Sequence, residues 1–284
     1  VSTTGNGKFL LEDQGLDCGS YSIDPTPHDK DYFQSQIVSL DSYFRSVSYG
    51  QFGVDLEGSD VYPHGQNESY QLEMTMNHYN PYSQIDIQEL RLTELFRDAL
   101  EKSHEEDQID FSAYDLVVIF HAGIGQDFSL PFLDPTPEDI PSTYVDQKMI
   151  QDNLGQAEIL IGDHAIRDGI ILPESQNHLH FDISESMFAN AAEPCEYQYG
   201  LVGTFALMVG FSIGLPPLWN VSTGESRVGV FGLMDQGSNN GRGIIPAPPT
   251  AWSRLHAGWE IPYHPNYNTD IHVPKRSNGS IVKV

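Results

Sequence analysis

The run His178-Leu179-His180-Phe181-Asp182 holds the side chains of this chain whose spacing best suits a metal ion. Alternate residues of a strand face one side, so His178, His180 and Asp182 could converge on one cation with two imidazoles and a carboxylate. A catalytic site would need a fourth group, and Asp163 or His164 is the nearest candidate. Two solvent-facing histidines on a loop or edge strand fit the same spacing. Other chemistries find less. No Gly-x-Ser-x-Gly nucleophile elbow occurs. Gly123-x-Gly125-Gln126-Asp127 lacks the endings that make a phosphate loop. Cys195 follows Pro194 between Glu193 and Glu196, a neighbourhood that raises a thiol pKa rather than activating it. His121 closes an apolar run and is expected to play a structural part.

These residues sit in a chain of 284 residues with 14 lysines and arginines against 40 aspartates and glutamates, a net charge of −26. That field repels phosphate backbones and anionic bilayers, so nucleic-acid binding is not expected. It suits the solvated acidic surface of a secreted protein. Calcium could also bridge such a surface, although no D-x-[DN]-x-[DN]-G loop is present. No apolar run has the length needed to span a bilayer, so membrane insertion is not expected. The two cysteines, Cys18 and Cys195, could be bridged or separate. The N-terminus carries no signal-peptide pattern.

The positioning elements follow from periodicity. Phe33, Ile37, Leu40, Phe44 and Val47 recur at steps of three and four, which predicts a helix over 31–47. Phe52, Val54 and Leu56 alternate as in a half-buried strand. A second helix is expected over 85–103, with Leu92, Leu95, Phe96, Ala99 and Leu100 inward. Leu116-Val117-Val118-Ile119-Phe120 reads as a central strand covered on both faces. Short strands are expected at 158–161 and 169–172, and a short helix over 251–258. Residues 200–213 are apolar nearly all round, as in a helix buried at the centre of the fold. Ile281-Val282 begins a strand-like pattern, which suggests that a further domain follows.

Six segments in order resemble the immune inhibitor A-like family of secreted zinc metallopeptidases. They are SYFRSVSYG (42–50), IDFSAYD (109–115), HAGIGQD (121–127), GLPPLWN (214–220), FGLMDQGS (231–238) and PAPPTAWS (246–253), the last leading to Gly258-Trp259. The resemblance implies a zincin-like α/β (α+β) fold: a mixed twisted sheet with helices, a central buried helix and a loop-rich C-terminal sub-domain with a Met-turn. It divides the chain into an irregular lead-in (1–30), a sub-domain ending in the former active-site helix (31–215), the loop-rich sub-domain (216–270) and a tail (271–284).

On the metzincin frame H-E-x-x-H-x-x-G-x-x-H, Gly214 falls on the glycine and Met234 on the Met-turn. The ligand positions hold Leu207, Phe211 and Pro217, and the general-base position holds Met208. Two imidazoles four residues apart share one helix face, and a neighbouring carboxylate takes the proton of metal-bound water. Leu207 and Phe211 keep the spacing with hydrocarbon alone. The sole His-Glu pair, His104-Glu105, has Gln108 at the second ligand position, and no His-x-x-Glu-His occurs. The expectation is a catalytically inactive, metallopeptidase-like module of a secreted or cell-surface protein, without zinc at that position. A protein or cell-surface partner is expected, with a homo-oligomer or filament as one form of assembly. A hydrolase with a relocated site at His178, His180 and Asp182 and a calcium-bridged assembly subunit are the alternatives.

Overall fold

Helix α1 (Lys30–Val47) forms where the three-and-four pattern places it. Asp29 caps it by accepting from the Tyr32 amide at 3.1 Å, and Phe33, Leu40, Phe44 and Val47 turn inward. The computed structural model describes residues 7–13, 22–81, 84–127, 136–181, 194–266 and 270. After the single turn α2 (Met76–Tyr79), a 3-10 turn at Ile85–Ile87 leads into α3 (Gln88–Asp107). That helix runs four residues past the expected end at 103. The overrun is charged and solvated, and Lys102 pairs with Glu106 at 2.8 Å.

The main sheet has three strands in the order β1-β5-β2. Strand β1 (Val118–Ile124) lies parallel to β5 (Gly169–Ser175), and β2 (Thr143–Val145) lies antiparallel to β5 on its other side. Two small hairpins accompany it: β3 (Ile159–Ile161) with β4 (His164–Ile166), and β6 (His178–Phe181) with β7 (Pro194–Tyr197). Helix α4 (Gln147–Leu154) was not anticipated, though its signals are local. Asp146 accepts from the Met149 amide at 2.7 Å, and Gly155 ends the helix in the left-handed region at φ +71°.

Helices cover both faces of this sheet. Ile170 and Leu172 join the core formed with α1 and the central helix α5 (Leu201–Ser212), whereas Ile171 joins the core under α3 and α4. Val118 and Phe120 point to the first core, and Val117 and Ile119 to the second. The architecture is therefore mixed α/β, with helices on both sides of a small mixed sheet.

Two expectations are corrected here. The apolar run at 116–120 does pack on both faces, but β1 lies at the edge of the sheet among the described residues and stays mostly half-buried, while every residue of β5 is buried. Phe52 lies in a bend, Val54 in irregular chain and Leu56 in a turn, so no strand forms there. Side chains of α1 and its C-cap satisfy that backbone instead: Asp41 Oδ1 accepts from the Val54 amide at 2.7 Å, and Ser48 Oγ accepts from the Phe52 amide at 2.9 Å. Phe52 then stacks on Trp259, with ring centroids 5.8 Å apart.

The chain after α5 is mostly turns and 3-10 segments, closed by α6 (Ala251–His256). Gly203 on α5 lets this region dock. Its amide donates to the Gly243 carbonyl at 2.9 Å, and a Cβ at Gly203 would overlap the Ser238 carbonyl oxygen. Gly203→Ala is expected to cost about 1–3 kcal/mol in denaturant unfolding, because a fixed backbone cannot yield as a side chain would. Unchanged stability would show that residues 236–243 do not press on α5. Among the described residues, no helix is long and apolar enough to cross a membrane.

Candidate functional site

Helix α5 starts with the Leu201 amide donating to Asp24 Oδ2 at 2.7 Å. It ends with two reversed bonds, Gly214 N to Phe211 O at 2.9 Å and Leu215 N to Gly210 O at 2.8 Å. This is a Schellman termination, and Gly214 supplies its left-handed residue at φ +84°. The chain then doubles back, so the Leu218 amide reaches the Met234 carbonyl at 2.7 Å. Met234 is fully buried beneath the helix, and a Cβ at Gly210 would lie 2.5 Å from its sulfur.

Of the three residues 207, 208 and 211, only Met208 is fully core, at 8% exposure. Leu207, Phe211 and Pro217 are half-buried. Phe211 lies between Tyr144 of β2, stacked at 6.2 Å, and Trp219, edge-on at 5.7 Å. The Tyr144 hydroxyl donates to Asp168 Oδ2 at 2.7 Å, which fixes that ring. The result is a half-open apolar floor beside β2, lined by hydrocarbon and aromatic rings.

Asp235, next to Met234, holds this turn region in shape. Its Oδ2 accepts from Ser226 Oγ and from the amides of Arg227, Val228 and Gly229 at 2.8–3.0 Å. Burial pushes its pKa up, but these bonds outweigh burial and hold the carboxyl below its usual range.

The histidine run is only partly brought together. His178 and His180 lie two apart on β6, facing Tyr197 and Cys195 of β7. His178 is buried at 4% exposure, edge-on to Tyr199 at 5.3 Å. It is therefore not a solvent-facing residue. The His180 and Cys195 side chains, Asp182 and Cys18 fall outside what the structure describes. His164 lies on β4, ahead of β5, whereas His178 follows β5. Among the described residues, His164 and Asp163 form no metal-holding group with His178.

Sequence reasoning missed a buried polar layer at the carboxyl ends of β1 and β5. Glu174 accepts from His28 Nδ1 at 2.9 Å, the Leu10 amide at 2.8 Å and the Gly123 amide at 2.6 Å. Asp127 accepts from Ser142 N and Oγ at 2.9 and 2.8 Å and from Gln176 Nε2 at 2.6 Å, while burial raises its pKa against those bonds. His121 sits with Nε2 3.1 Å from the Ile140 carbonyl and Nδ1 3.0 Å from the Ala122 carbonyl. Burial lowers its pKa, and a neutral ring, with a single N–H, donates to only one of these two carbonyls. One sequence signal existed: Glu174 is a carboxylate closing the apolar run Ile170-Ile171-Leu172. Among the described residues, Ser142 Oγ bonds to Asp127 and Gln176. Among the described residues, no group of three or more His, Cys, Asp or Glu side chains is placed to hold a metal ion.

No protein-family model matches this chain, and no curated protein matches it in sequence.

Proposed function

We propose that this chain is a catalytically inactive relative of the immune inhibitor A-like zinc metallopeptidases, secreted or displayed at a cell surface, that works as a binding or structural module. The observation that supports this reading is the face of α5. Leu207 and Phe211 occupy the two positions four residues apart, Met208 fills the general-base position as core, and Met234 underlies the helix as a Met-turn residue would. The Schellman turn at Gly214 and the edge strand β2 beside Phe211 fit the same reading. Function then resides in surfaces that hold a partner.

The test is direct. Purified protein should carry zinc far below one equivalent by atomic emission and leave a quenched peptide library uncut, with and without chelator. Near-stoichiometric zinc together with chelator-sensitive cleavage would overturn the reading.

A further inference from the structure

On the side of β1 away from β5, a cavity of about 1830 Å³ runs along the strand. Residues 116–124 all line it without a gap. Neighbouring residues of a strand face opposite sides, so a space that touches every one of them follows the strand's edge rather than one face. Residues 7–13 and 65–76 line it as well.

The hydrogen-bonding register shows what this edge offers. Ile170 donates its amide to the Val117 carbonyl at 3.0 Å, and its Cα partner is Val118. In a parallel ladder, Val117, Ile119 and His121 therefore bond to β5, and the amides and carbonyls of Val118 and Phe120 point into the cavity. No other strand pairs with β1 among the described residues. Such a row of groups is a template for an added strand.

Charge and shape select the occupant. Eleven carboxylates and two lysines line the cavity. Glu12, Asp55, Glu68, Glu73 and Asp115 are exposed on its lining, and Asp60 there is already paired with Lys30 and His64. We infer that β1 accepts an extended, lysine- or arginine-bearing segment of a partner protein, added as a fourth strand through main-chain hydrogen bonds with its cations on the exposed carboxylates. This goes beyond the function proposed above and stands whether or not α5 descends from a zinc helix.

The probe is a capped peptide of about nine residues alternating valine and lysine, long enough to span the lined stretch. Calorimetry should show saturable binding that weakens at least tenfold from low to high salt, as screening removes the charge term. Hydrogen exchange should slow at the Val118 and Phe120 amides. N-methylation of the peptide at one alternate set of residues should weaken binding at least tenfold, and at the other set leave it within about twofold, because only one set donates to β1. This comparison uses the unaltered protein and so carries no folding risk. A glutamate-for-lysine peptide should fail to bind. The proposal is overturned by the absence of saturable binding, by equal effects of the two N-methyl sets, by equal binding of the glutamate peptide, or by protection at 143–145 instead of 118–120. Concentration-dependent dimerisation that protects the same amides without peptide would also overturn it, in favour of a second copy of this chain.

Discussion

Glu174→Ala is expected to destabilise the fold by about 3–5 kcal/mol, the scale for breaking a buried charged pair by removing one partner. Glu174 is 1% exposed and His28 2%. Three donors converge on the carboxylate from three separate segments: the Leu10 amide, the His28 ring and the Gly123 amide. Its own carbonyl accepts the Tyr32 hydroxyl of α1 at 2.7 Å. Truncation would strand all three donors without water, and each buried unsatisfied group costs about 1–3 kcal/mol. Urea unfolding of the variant should show a midpoint shift of that size, or no folded baseline at all. A loss under about 1 kcal/mol would mean that water or a neighbour already shares the load.

The same pair gives a pH signature that separates charge from packing. Burial pushes the His28 pKa down, but the hydrogen bonds to Glu174 and to the Asp24 carbonyl, with the nearby negative charge, bring it above its usual 6.5. A base with a raised folded pKa binds its proton more tightly when folded. Its stabilisation is full below the unfolded value and is lost as pH rises through the folded value. Stability should therefore fall on going upward from about pH 6.5. Glu174→Gln, which keeps the shape and one acceptor, should flatten this slope. Equal slopes in both proteins would remove His28 as its source.

Why some of this was legible and some not comes down to range. Helices α1 and α3 declare themselves through contiguous side-chain periodicity and α5 through an apolar run of helix length, while the unanticipated α4 carries only local end signals at Asp146 and Gly155. Those signals act within a few residues. The strand order does not. Leu116 to Phe120 has the composition of a central strand because both its faces are covered, yet that β1 ends the sheet among the described residues leaves no trace in an apolar run. Phe52 and Val54 alternate like a strand, but Asp41 and Ser48, one helix earlier, take their hydrogen bonds. His28 and Glu174 lie 146 residues apart, so no local pattern could pair them. Leu207, Met208 and Phe211 were readable as residue types in a frame. The graded burial among them, with Phe211 held between Tyr144 and Trp219, depends on β2 and on the turn after Pro217.

That graded burial makes the second large effect measurable. In the double variant Leu207→His, Phe211→His, the metal-free protein is expected to lose about 2–4 kcal/mol. Half-buried Leu207 and Phe211 forfeit part of the 1.5–3 kcal/mol each would contribute if fully buried, and Phe211 also loses its ring contacts, worth roughly 0.5–1.5 kcal/mol. Zinc should restore much of this, since two imidazoles at i and i+4 present donors on one helix face. A ligand at a hundredfold its dissociation constant stabilises by about 2.7 kcal/mol. Zinc should therefore raise the melting temperature of the double variant, chelator should reverse the rise, and neither single variant should respond. Adding Pro217→His should tighten binding further only if the turn that carries Trp219 to Phe211 also brings position 217 over the helix. Zinc that leaves the double variant unmoved, or that shifts the unaltered protein equally, would remove the argument that this face of α5 is a former metal site. The face would then be an apolar helix surface whose spacing is coincidental, and the Schellman turn at Gly214 a helix end like any other.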